Sequence, residues 1–222
     1  LFTKEYKTMA NTISKLGIGR LWIDETALTA TAAEINSGVD GLTATAAEIN
    51  AAADISLNTA KMTPSAAVTA AMTVPMQTTT HRAGNIIKTT MYIDLTGLKG
   101  TTTDNDIIGD TGASHFGQIT TAVNGVIFKG QVSCAEVPTT GPDDINVASS
   151  TAATGAYDAD VTALAGAKAL MTAGGAHAIG TVKPFTALPA ANDYLYLSSG
   201  EGGTAGTYDA GILIIEMWGL GA

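Results

Sequence analysis

The 222 residues suffice for one substantial domain with an extended segment, or for two small domains. Only 14% are charged, against roughly 25% in an ordinary soluble domain, so the surface must be built largely from Thr, Ser, Asn, Gly and Ala and suits close subunit contacts. The net charge of −9 repels phosphate backbones and argues against nucleic-acid binding, and no apolar run approaches the ~18 residues that would span a bilayer.

The N-terminal twenty residues run against the overall charge. Lys4, Lys7, Lys15 and Arg20 face Glu5 alone, a net of +3, while the remainder carries −12. Residues 1–20 therefore read as a basic arm able to lie on an acidic neighbour, or else as a terminus with a few lysines. Met9-Ala10-Asn11 has the look of a translation start, so residues 1–8 are expected to be translated leader or a misassigned start; intact-mass measurement of the native protein decides this.

Residues 21–60 contain an internal repeat. Leu28-Thr29-Ala30-Thr31-Ala32-Ala33-Glu34-Ile35-Asn36 recurs unchanged from Leu42 to Asn50, a period of 14 residues. Thr31 with Glu34, and Thr45 with Glu48, fit capping boxes that start short helices running through Ile35 and Ile49. Two turns offering only Leu, Ala and Ile cannot offset their own conformational entropy. The helices must pack on their own β-domain or on other chains, or else fold back as a local hairpin. Leu28, Thr31, Glu34, Ile35, Leu42, Thr45, Glu48 and Ile49 are thus the candidate oligomer- and capsid-binding residues, although the second partner rests on the resemblance below.

Residues 61–84, with Pro64 and Pro75, read as a linker or an edge segment. From residue 85 to 222 the texture turns to β. Strands are expected at Ile86–Leu95, Gly125–Cys134 with a bulge at Gly130, Ile145–Ala148, Asp193–Ser198 and Gly211–Trp218. Ala159–Ala173 has helical composition. The expected fold is mainly β: a β-sandwich, jelly-roll-like, preceded by short helical repeats and an extended N-terminal arm.

Chemistry-bearing residues are few. Cys134 is the sole cysteine, which excludes an intramolecular disulfide, and its apolar-alternating context suits a small buried hydrophobe better than a nucleophile. His81, His115 and His177 show no zinc-ligand spacing. His115 beside Cys134 or a serine would be the only hydrolase-like pair, and a structural histidine is the plainer reading. Asp104, Asp106 and Asp110 around Gly109 could wrap a hard cation, or cap their own turns. Asp143-Asp144 and Asp158 with Asp160 sit in turn contexts, and Trp22 and Trp218 beside core positions. No cofactor is expected and no catalytic residue is assigned.

The Leu-Thr-Ala-Thr-Ala-Ala-Glu-Ile-Asn repeats at residues 28–50 resemble those of fibres and head-associated proteins of tailed bacteriophages. Asp106–Gly109, His115–Thr120, Leu188–Leu197 and Gly206–Glu216 are similar to a group of phage virion structural proteins. The resemblance implies a non-enzymatic particle component, located in the virion and made in the host cytoplasm. On this reading it is a capsid decoration or cement protein, a homotrimer that binds and stabilises the major capsid protein. The alternative is a tail-fibre or receptor-binding subunit contacting the host surface. A polysaccharide-degrading spike would need paired acids and sugar-stacking aromatics that the chain supplies poorly.

Overall fold

The computed structural model describes residues 22–23, 26–27, 61–200 and 203–221. The chain divides into two compact units, residues 1–53 and 54–222. In the first unit, β1 (Trp22–Ile23) pairs antiparallel with β2 (Thr26–Ala27), a short β-ribbon where the sequence was read as the start of the helical repeat segment. The repeat helices and the basic arm lie outside the described residues.

The second unit is mainly β. Its larger sheet contains β3 (Gln77–Ala83), β4 (Ile86–Asp94), β6 (Val126–Thr139), β9 (Val182–Pro184) and β12 (Ala210–Leu220), in the order β3-β4-β12-β6-β9, all antiparallel. The smaller sheet runs β10 (Tyr194–Ser199), β7 (Ile145–Ser150), β8 (Lys168–Met171), and a further pair joins β5 (Lys99–Gly100) to β11 (Gly206–Thr207). The mainly β, antiparallel character agrees with the expectation from sequence; the jelly-roll kind remains an expectation.

Alternation explains how the sheets meet. Along β12 every second residue is buried, so Leu213, Ile215 and Met217 face inward beside Met91 and Ile93 of β4 and Val132 and Cys134 of β6. Ile145 and Val147 of β7, Leu170 and Met171 of β8, and Leu195 and Leu197 of β10 belong to the same cluster. A single core thus lies between the two sheets. Each of these aliphatic side chains contributes roughly 1.5–3 kcal/mol on full burial. The far face of the small sheet is covered too, by Ile107 and Val161 packed on Ala148 and Tyr196. That is why all six residues of β7 are buried.

Three expectations require correction. Residues 61–84 are part of the packed domain rather than a linker, and the edge-segment alternative holds for Gln77–Ala83, the edge strand β3; before it Ser65 caps α1 (Ala66–Ala71), and Met62, Val68 and Met72 enter the core. Ala159–Ala173 does not form a helix beyond the single 3-10 turn η1 (Val161–Ala163). The chain leaves that turn at Leu164, turns at Gly166 with φ +65°, and enters β8 because Leu170 and Met171 fill the core. The β12–β6 register does not slip at Gly130, where a bulge was expected, but between Trp218 and Gly219, opposite Phe128, and again on either side of Ile212. Gly130 is needed because the Phe185 ring occupies the space of a Cβ.

At one end of the large sheet, α2 (Thr121–Asn124) plugs the inner face. Asn124 is fully buried, donates to Thr89 Oγ1 at 3.0 Å and accepts from the Thr120 amide at 2.9 Å. A Cβ on Gly219 would collide with the Asn124 backbone carbonyl. Gly219→Ala is therefore expected to destabilise the domain by about 1–3 kcal/mol, as overpacking against rigid backbone does, with the midpoint of urea unfolding as the readout.

Candidate interaction surface

The binding residues proposed from sequence, Leu28, Thr31, Glu34, Ile35, Leu42, Thr45, Glu48 and Ile49, lie outside the described residues. The structure brings forward a different surface, the outer face of the large sheet. Register places Ile86, Leu220 and Val126 side by side across β4, β12 and β6. They are 44%, 51% and 63% exposed, and Phe128 next to them is 45% exposed. Apolar residues in one row on a sheet mark a contact surface, whereas isolated ones do not.

The next row along the same face is Lys88, Trp218 and Lys129. Both ammonium groups lie over the indole, at 5.3 and 4.6 Å from its centroid. Trp218 is therefore half-buried on the outer face, not in the core beside which the sequence placed it. Lys88 also forms an ion pair with Glu216, which accepts from Gln131 Nε2 at 2.7 Å. The Lys88 ammonium, then the Gln131 amide, hold the Glu216 carboxyl below its ordinary range against the opposing effect of burial. An apolar row is thus bordered by a basic, charge-paired row. Sequence reading found the strands but missed the patch, because it depends on three-strand register; the signal present was the matching apolar termini of the segments.

The other candidates are dispersed. Cys134 is buried between the sheets, its thiol donating to the Glu136 carbonyl at 3.3 Å, and burial pushes its pKa up. His115 lies instead against Tyr194 and Tyr196, with ring centroids at 4.8 and 6.3 Å, and its Nδ1 has no hydrogen-bond partner. The three acids of the 104–110 loop separate. Asp110 pairs with Lys99 at 2.6 Å, which holds its carboxyl below the usual range; Asp106 accepts from Thr101 at 2.8 Å; Asp104 accepts from Asn105. Among the described residues no group of three or more His, Cys, Asp or Glu gathers about a metal position. Asp160 caps η1 through the Thr162 amide, and Asp158 turns the chain at φ +66°.

His177 is buried, with Nε2 2.9 Å from the Ile145 carbonyl, so the neutral tautomer carrying the Nε2 proton donates there. Burial is the largest influence on it and lowers its pKa from 6.5; His115 is lowered by burial too. Between the lowered folded values and 6.5 the unfolded chain binds more protons, so stability falls as pH drops through this window. Thermal melts between pH 7 and pH 5 are expected to show this loss, and His177→Gln to flatten it. An unchanged slope in the variant would assign the effect to other groups.

No family model matches this chain, and neither a curated protein nor a solved structure matches it.

Proposed function

We propose that this chain is a structural subunit of a bacteriophage particle, most specifically a head decoration or cement protein that acts by binding other protein subunits. The observation that carries the binding role is the exposed row Ile86–Leu220–Val126 with its bordering Lys88–Trp218–Lys129 row. A rigid sheet bearing an apolar strip beside aromatic and cationic side chains has the makings of an interface core and rim. The particle assignment is supported by the 14-residue repeat and its resemblance to phage fibre and head proteins. The strip meets a neighbouring subunit, the repeats supply a second attachment, and the assembly is a symmetric oligomer, a trimer on this reading.

Val126→Asp together with Leu220→Asp places two charges in the strip without touching the core. The doubly substituted protein is expected to keep the wild-type melting profile while particle binding, measured by co-sedimentation, falls at least tenfold. Full occupancy by this variant would remove the strip from the interface. Densitometry of purified particles separates the leading reading, with hundreds of copies per particle, from a tail-fibre subunit present in a few or a few tens.

A further inference from the structure

A cavity of about 340 Å³ lies where the chain enters β7 and leaves β10, apart from the strip described above, and is lined by Asp104, Asp144, Asn146, Thr172 and the glycines 174, 175 and 200. Asp144 directly precedes β7. Its backbone carbonyl accepts from the Gly200 amide at 2.6 Å, and its carboxylate lies over Gly200 where a Cβ would otherwise sit. The residue is only 5% exposed, yet Oδ1 has no hydrogen-bond partner. A carboxyl oxygen withdrawn from water without a hydrogen-bond partner is costly unless a bound group meets it.

Ser198, opposite Asn146 in the β7–β10 register, is fully buried with an unpartnered Oγ, but it lines a separate, smaller cavity of about 100 Å³ and not this one. The walls are already fixed by other bonds. Asn146 donates to the Ser199 carbonyl and accepts from the Ala173 amide, while Lys183 donates to the carbonyls of Ala173 and Gly175 and ties down the glycine loop. The other side-chain donors of the lining are oxygens, the carboxylates of Asp144 and Asp104 (the latter also accepting from Asn105) and the Thr172 hydroxyl, which is the ligand class of a hard divalent cation.

We propose that this cavity is a Ca²⁺ site, with Asp144 and Asp104 as its charged ligands and the coordination completed by the Thr172 hydroxyl and water. Three chain segments converging irregularly suit the variable coordination of Ca²⁺ better than the near-ideal octahedron that Mg²⁺ demands. Two carboxylates place the affinity in the weak class, on the order of 10⁻⁴–10⁻³ M. The ion would join the entry of β7 to the 104 loop.

The experiment titrates CaCl₂ into the chelator-stripped full chain by calorimetry, with thermal melting in parallel. Binding and a raised Tm are expected for wild type and for Asp110→Asn, whose carboxylate pairs with Lys99 away from the cavity. Asp144→Asn should weaken binding at least tenfold and Asp104→Asn several-fold; if the former does not fold, the latter carries the comparison. No heat and no Tm change up to about 10 mM Ca²⁺, or wild-type affinity in both variants, overturns the proposal. So does a response to MgCl₂ with none to CaCl₂.

Discussion

The small sheet is covered on both faces, and much of the domain follows from that. A strand with six consecutive buried residues must satisfy every backbone and side-chain polar group without water, and β7 carries Asn146, Ser149 and Ser150 among them. Each is met from a different direction. Asn146 reaches the Ser199 carbonyl and the Ala173 amide, Ser149 donates to Asp193, and Ser150 donates to the Ala165 carbonyl. These bonds pin the segments 165–173 and 193–199 onto β7. The aliphatic core against the large sheet then closes over a strand whose position is already specified by directional contacts. Buried polar networks of this kind fix one arrangement because partial satisfaction is costly.

The same demand separates the two sides of the molecule. The outer face of the large sheet meets its polar requirements within itself, through Lys88, Glu216 and Gln131, and leaves apolar side chains in solvent at one end. The small-sheet side buries nearly everything and leaves isolated oxygens instead, on Asp144, Ser198 and Ser199. One side therefore exposes apolar area, and the other keeps oxygen atoms without partners. With so few charged residues in the chain, 14%, the concentration of Lys88, Lys129 and Glu216 around one indole is a local departure from its composition.

The long strands could be read from sequence because their alternation matches their burial. Ile87, Met91 and Ile93 face the core and Lys88, Thr90 and Tyr92 do not, and the pattern in β12 follows the same rule. The elements that were misread lack that signal for physical reasons. The edge strand β3 has both an exposed face and an unpaired side, so its Thr-Thr-Thr-His-Arg run needs no apolar period. In β8 four residues are too few to show period two against an alanine-rich background, and helix α1 is shorter than any helical window. The cavity at Asp144 was beyond reach because Asp104, Asp144 and Gly200 are distant in the chain and meet only through strand pairing. The aspartates near Gly109 were visible as a cluster, but Lys99 and Thr101 claim two of them.

The central position of β12 also sets an order of events during synthesis. It hydrogen-bonds to β4 on one side and β6 on the other, and Gln131 is separated from its partner Glu216 by 85 residues. While the intervening chain is being made, β4 and β6 present facing edges with unsatisfied amides and carbonyls and a bare apolar face. Such long-range closure slows folding, and an open pair of edges is a template for pairing with another nascent chain. Chains made close together would compete for that vacant slot with their own later strand. The domain's yield, as distinct from its stability, is thus governed by how promptly one strand reaches the middle of the sheet.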